Sequence, residues 1–229
     1  MIQTNKKGFT LLELLIVITI LAILTLVVVL FINPVEMLKK ARDVQRMSDL
    51  ATAKAAIVLY LQDNASSNLG GTAHCITGTT AADGSASAKV NTSLIVTSAG
   101  ERTGADAGAS CGATCYASST TSTLAYKNDG TGWIPYINFA SFASGAPIER
   151  LPVDPINTGA TGGTPGVNSL YYRYACKTNN TFELDATLES DAYKFGGTEP
   201  KAGIDGGNSP MRYEVGTNLN ILPSSAPLF

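Results

Sequence analysis

The sequence predicts an α+β protein: one long N-terminal helix, transmembrane in its first half and amphipathic in its second, packed on a C-terminal antiparallel β-sheet. Three observations predict it. Residues Phe9–Ile32 form an apolar block interrupted only by Thr10, Glu13, Thr19 and Thr25. Between Phe9 and Leu69 there is no glycine and Pro34 is the only proline, so helix can persist through most of that stretch. Far downstream, Phe182, Leu184, Ala186 and Leu188 alternate with Glu183, Asp185, Thr187 and Glu189, which is the period of a strand with one face on a core.

The apolar block is long enough to cross a bilayer as a helix, which takes about 20 residues. It is preceded by a polar leader ending in Lys6-Lys7-Gly8. It is not an ordinary secretory signal, whose apolar region is about 7–15 residues and is followed by a small-residue cleavage site. Phe31, Ile32, Asn33 and Pro34 follow here instead. Glu13 stands out, because a carboxylate at the centre of a membrane helix costs about 2.5–3.5 kcal/mol. A cut before Phe9 would create an α-amine at the helix start, next to Glu13 and to the positive end of the helix dipole. A neighbouring chain's amine would serve as well, and that pairing would set axial register between subunits. The plainer alternative is a Glu13 that snorkels to the interface or is protonated.

The run Gly8-Phe9-Thr10-Leu11-Leu12-Glu13, followed by an apolar helix, resembles the class III leader of type IV pilins and type II secretion pseudopilins. The resemblance implies a type IV pilin-like fold and cleavage between Gly8 and Phe9 by prepilin peptidase, a membrane aspartyl protease that then methylates the Phe9 amine. It makes Glu13 the register-setting acid. The partners it implies are further copies in a helical filament, minor pilins, an inner-membrane platform protein and a cytoplasmic ATPase. Lys6 and Lys7 place the N-terminus in the cytoplasm by the positive-inside rule, with the rest translocated. The expected location is the inner membrane as a single-pass precursor, then a cell-surface or periplasmic filament. The expected organisation is a leader at 1–8, a transmembrane and assembly helix at 9–32, an amphipathic helix at 33–66 and a globular head at 67–229.

Pro34 lacks an N–H and predicts a kink or unwound segment around Phe31–Pro34. Beyond it, Met37, Ala41, Val44, Ser48, Ala51, Ala55, Val58 and Gln62 recur at three- and four-residue spacing beside Leu50, Ile57 and Leu61, a face expected to pack on the sheet. Lys39, Lys40, Arg42, Asp43, Arg46 and Asp49 are expected to form a solvated face. Asn64, Asn68, Gly70 and Gly71 end the helix.

Residues 64–123 are rich in Ala, Ser, Thr, Gly and Asn, with one strand expected at Ser93–Thr97. In the pilin resemblance this is a surface where subunits meet; the alternative is a poorly ordered insertion tied down by cysteines. Further strands are expected at Leu124–Asn128, Gly132–Asn138, Ser169–Cys176, Phe182–Ser190 and Arg212–Leu219, the third and fourth joined as a hairpin through Lys177–Thr181. Leu151-Pro152-Val153-Asp154-Pro155, followed by Tyr171-Tyr172, is similar to the segment leading into the C-terminal sheet of major pseudopilins. That resemblance implies a structural Ca²⁺ in a late loop. Asp191 and Asp205 are the candidate ligands, with Glu199, Asn208 and Ser209 as further oxygen donors. The alternative is that these residues simply face water.

Cys75, Cys111, Cys115 and Cys176 all follow the apolar block, and an even count in an exported domain predicts two disulfides in one of three pairings. Free buried thiols, or a zinc site with His74, are the alternatives. The formal net charge of −2 and the lack of a basic stripe beyond Lys39, Lys40 and Arg42 argue against nucleic acid. With one His, no nucleophile elbow and no phosphate loop, the chain is not expected to be an enzyme and requires no cofactor. A filament subunit is the expected function; the alternative is a membrane-anchored ectodomain, an adhesin or binding module, that never polymerises.

Overall fold

The computed structural model describes residues 8–63, 68–70, 75–76, 89–95, 101–103, 116–120, 123–142, 145–157 and 169–222. The chain divides into two compact units, Met1–Lys39 and Lys40–Phe229. In the first, α1 runs from Leu11 to Ile32. Its side chains from Leu11 to Val29 are all exposed, and this is the one described helix long and apolar enough to cross a membrane. An apolar surface of that extent cannot stay in water. The two threonines in its interior bond back to their own helix: Thr19 Oγ1 donates to Ile16 O at 2.8 Å and Thr25 Oγ1 to Leu21 O at 2.5 Å. Neither hydroxyl therefore needs a partner outside the helix.

The unwound segment expected near Pro34 is a single residue. Asn33 closes α1 in the left-handed region, at φ 45° and ψ 74°, which asparagine tolerates better than other non-glycine residues. Pro34 then opens α2, Pro34–Asp63, at the helix position where a missing N–H costs nothing.

In the second unit the part of α2 after Lys39 lies on a six-stranded sheet. The strands are β1 (Lys89–Ile95), β2 (Glu101–Thr103), β3 (Tyr116–Thr120), β4 (Tyr172–Cys176), β5 (Phe182–Thr187) and β6 (Arg212–Gly216), in the order β2-β3-β1-β4-β5-β6. The four strands β1-β4-β5-β6 are antiparallel, as expected; β3 adds a parallel pairing to β1. The core joins Leu50, Ala53, Ala56 and Ile57 of α2 to Tyr172, Tyr174, Phe182, Leu184 and Ala186 of the sheet, closed by Trp133, Ile134, Ile137 and Phe139.

The helix face is in part as expected, with Leu50 and Ile57 buried in the core and Val58 and Leu61 packed against it, and in part different. Met37, Ala41, Val44, Ser48, Ala51, Ala55 and Gln62 are exposed and Val58 is half-buried, while Asp43 and Arg46, expected in solvent, are fully buried with Leu50, Ala53 and Ile57. The reason is chemical. From α2 only Leu50 and Ile57 are large apolar side chains fully removed from water, each contributing about 1.5–3 kcal/mol. Ala53 and Ala56 are buried beside them and Val58, Tyr60 and Leu61 pack against the core, while the first turns of the docked face are held by ion pairs to partners distant in sequence.

The hairpin forms as expected. Lys177 N–H donates to Thr181 O, Asn179 Oδ1 accepts from Thr181 N–H at 3.2 Å, and Asn180 takes φ 63°. Its strands are shorter than expected, and β6 ends at Gly216. No strand forms at Leu124–Asn128 or Gly132–Asn138; turns and an isolated Asp129–Asn138 bridge stand there. Trp133, Ile134 and Ile137 bury without alternation, and Tyr136 takes φ 73°, which breaks an extended run at 132–138. The strand expected at Ser93–Thr97 begins earlier, at Lys89. At the end of α2, Asn68 Oδ1 accepts from Gly70 N–H at 3.0 Å, and Gly70 has φ 112°. Asn64 and Gly71 lie outside the described residues.

Candidate functional site: the leader junction and what holds the head to its helix

Thr10 caps α1, and Glu13 completes a reciprocal box. Thr10 Oγ1 accepts from Glu13 N–H at 3.2 Å, while Glu13 Oε2 accepts from Thr10 N–H and from the Thr10 hydroxyl, both at 2.9 Å. Two otherwise orphaned groups at the helix start are thereby satisfied. The signal was in the sequence as Thr10-x-x-Glu13, and it gives Glu13 a use within its own chain. The carboxylate sits over the N–H next to Phe9, where an amine would appear after a cut. At Gly8 an added Cβ would meet nothing within 4 Å, and its φ is not in the left-handed region. The fold places no demand for glycine there. Lys6 and Lys7 lie outside the described residues.

The proline-flanked Asp154 is the anchor of the head. Arg46 Nε donates to Asp154 Oδ2 at 2.7 Å and Nη2 to Oδ1 at 3.0 Å, a two-pronged bond, while Nη1 donates to Asp43 Oδ1 at 2.8 Å and pairs with Glu189 at 3.2 Å. Asp43 accepts from the N–H groups of Glu189 and Ser190, and Arg42 pairs with Glu189 at 2.7 Å. Burial works against the Arg46 charge, but Asp154 and Glu189 outweigh it and raise its pKa. Asp49 accepts from the Tyr172 hydroxyl at 2.8 Å, and burial raises its carboxyl above the usual range. The spacing of Asp43, Arg46, Leu50, Ala53 and Ile57 at threes and fours would have marked this face, had charged residues been admitted to it.

The acidic face of β5 is buried too, and not solvated. Asp185 binds Arg173 across β4 and Arg212 at 2.9 Å from β6, and these two cations outweigh burial and lower its pKa. Glu183 Oε2 accepts from Ile221 and Leu222 N–H at 2.7 and 2.8 Å, fastening the C-terminal segment.

The two carboxylates proposed for calcium each have a partner in the chain. Asp191 is exposed and pairs with Lys194. Asp205 spends Oδ1 on Gly207 N–H at 3.1 Å and Oδ2 on Glu214 N–H at 2.6 Å. Among the described residues no three His, Cys, Asp or Glu side chains converge as a metal would require.

Of the cysteines, Cys75 and Cys176 form a disulfide across a separation of 101 residues. It ties the segment after α2 to the end of β4, where Ile76 bridges Lys177. Cys111, Cys115 and His74 lie outside the described residues.

No curated protein and no solved structure matches the chain. Residues 3–29 match the family model described as the prokaryotic N-terminal methylation motif, which spans the leader, Gly8, Phe9, the capping box and the apolar part of α1. The chain therefore carries a prepilin-type N-terminal motif on an α+β, pilin-like fold.

Proposed function

We propose that the protein is a structural subunit of a type IV pilus-like or type II secretion pseudopilus filament, cleaved after Gly8, methylated on Phe9 and assembled through its N-terminal helix. The observation that carries this reading is the matched motif on a helix whose apolar surface is bare from Leu11 to Val29. A bilayer covers that surface in the precursor, and neighbouring subunits cover it in the filament. The second bare stripe, Met37, Ala41, Val44, Ser48, Ala51 and Ala55, extends the same role along α2 with small residues that allow close approach. Glu13 has two partners in sequence: Thr10 in the precursor, and an Phe9 amine, its own or a neighbour's, after cleavage. Insertion with the head outside, and traffic through prepilin peptidase, a platform protein, an ATPase and minor pilins, complete the reading. It assigns the chain a mechanical role and no catalysis.

Mass spectrometry of sheared surface material tests it: the expected N-terminal peptide begins at N-methylated Phe9. Protein that starts at Met1 and stays in the membrane fraction would overturn it in favour of the anchored ectodomain. Gly8→Arg is expected to give a folded, membrane-bound but uncleaved precursor and no filaments, because position 8 is open in the fold. Normal filaments from that variant would remove the processing claim. Glu13→Val is expected to be cleaved but to reduce filament yield severalfold or more; Glu13→Gln, which keeps one acceptor for the Thr10 N–H, separates loss of the cap from loss of charge. Wild-type yield from both variants would end the register role.

A further inference from the structure

The loop at 190–202 presents apolar surface that its own fold does not use. Its limbs are pinned by the buried Ala192 and Ala202. Glu199 N–H donates to Ala192 O at 2.9 Å and Lys201 N–H to Tyr193 O at 2.8 Å, so the chain returns on itself as a closed finger. At the tip Gly197 N–H donates to Lys194 O at 3.0 Å, which makes Phe195 and Gly196 the corner of a turn. Gly196 takes φ 76°, and at Gly197 a Cβ would lie 2.3 Å from Ala192 O, so neither position has room for choice. Phe195 is thereby held outward, 57% exposed. Its ring rests on Gly203, with Cδ2 2.9 Å from where a Cβ would stand, and Gly203 in turn abuts Pro210. The next residues along, Ile204 and Met211, are 68% and 53% exposed. One exposed apolar side chain is ordinary; three brought to one rigid turn make a patch.

The base of the finger gathers positive charge. Lys201 Nζ and Lys40 Nζ, the latter from α2, each lie 5.7 Å from the centre of the Tyr193 ring, within reach of a cation–π contact. Among the described residues lysine forms ion pairs at Lys39, Lys127 and Lys194, so Lys40 and Lys201 meet no carboxylate there. Asp191 is matched by Lys194, and Glu199 is the acid that remains on the finger. The balance of these side chains is positive. An aromatic tip with lysines around a tyrosine suits a boundary between hydrocarbon and headgroups, with rings and stems in the first and ammonium groups in the second.

Place in the chain selects the occupant. Lys40 opens the second unit and follows Pro34, the start of α2, by about 9 Å of helix. With α1 ending at Ile32 and filling the hydrocarbon, Lys40 is held within reach of the headgroup layer, and Tyr193 brings the finger to Lys40. We propose that the 190–202 finger is a lipid-contacting element of the head: Phe195 enters the membrane interface while Lys40 and Lys201 hold the phosphates of anionic lipids. The inference rests on the reading that α1 spans a bilayer in the precursor. Each lysine close to an anionic surface is worth about fivefold in binding, an attraction that fades within a Debye length. The contact is therefore reversible, seating the head while the subunit is in the membrane and letting go when it leaves.

The test uses the full-length chain in vesicles of brominated phosphatidylcholine, with or without phosphatidylglycerol, whose bromine atoms quench tryptophan on contact. Phe195→Trp is the probe, and the native Trp133, buried and bonded to Pro152 O, is the unquenched reference. In mixed vesicles the emission of Phe195→Trp is expected to shift to the blue and fall severalfold, and to recover in high salt. Lys40→Gln with Lys201→Gln is expected to weaken the contact about 25-fold at an unchanged melting temperature. Leu21→Trp, inside α1, reports the membrane reading separately. Quenched Leu21→Trp beside unquenched Phe195→Trp would overturn the finger alone; both unquenched would overturn the membrane reading and the finger with it. Equal quenching of Phe195→Trp in neutral vesicles, unaltered in the lysine variant, would overturn the assignment to anionic lipid. A blue shift without quenching, growing with protein density in the vesicle, would overturn it in favour of a second copy of the chain.

Discussion

Arg46→Ala is expected to destabilise the head by about 3–5 kcal/mol, the range for removing one partner from a buried ion network. The loss comes less from the missing bonds than from what remains. Asp43 and Asp154 are fully buried, and without the guanidinium both lose their cation while only Glu189 keeps one, Arg42. Arg46→Lys should fall between, because an ammonium cannot make the two-pronged contact with Asp154. Urea unfolding of the full-length chain in detergent measures both, the midpoint shifting with little change in slope. A loss under about 1 kcal/mol for Arg46→Ala would mean that water reaches these groups and that the network is not sealed.

Replacing Cys75 and Cys176 together by alanine is expected to cost about 3–5 kcal/mol. Closing a loop with a separation of 101 residues removes chain entropy worth about 4.7 kcal/mol in the unfolded state, and residual structure there reduces it. For a chain of this size the fall in melting temperature should be about 10 °C or more. The same shift should follow reductant in the wild type, and a non-reducing peptide map should link residues 75 and 176. A reductant-insensitive melting temperature would show that this bridge adds little beyond the sheet. The cysteine substitutions and Arg46→Ala share no partner, so their effects should add.

What could be read from the sequence follows the distance over which each feature is determined. The leader was legible because Gly8, Phe9, Thr10 and Glu13 are contiguous, and their chemistry is that of one helix terminus. The hairpin was legible because Asn179 and Asn180 make a local turn and Phe182–Ala186 repeat at the strand period. The helix face was read correctly at Leu50, Ile57, Val58 and Leu61 and misread elsewhere, because α2 has two sides with apolar or small residues. Periodicity does not say which side meets the head of its own chain. Asp43 and Arg46 decide it, through Asp154 and the 189–190 backbone, more than a hundred residues away. The acidic face of β5 was assigned to water for the same reason. Alternation reports two faces, but the cover on the second is an irregular segment whose backbone N–H groups leave no mark in a pattern of side chains. The strand expected at Gly132–Asn138 failed on a dihedral at Tyr136 that composition does not encode.

Thr19 and Thr25 bear on how such a helix changes surroundings. Each hydroxyl is bonded to a carbonyl of its own helix, so from Leu14 to Val29 the segment makes no hydrogen bond that depends on what lies outside it. Carrying it from lipid to a bed of neighbouring helices then breaks no bond and exposes no donor. The transfer exchanges one set of apolar contacts for another of similar strength. In a filament of the kind proposed, that makes the shaft indifferent to its medium: subunits can leave the bilayer and return to it, with Glu13 the one side chain on the way that registers the difference.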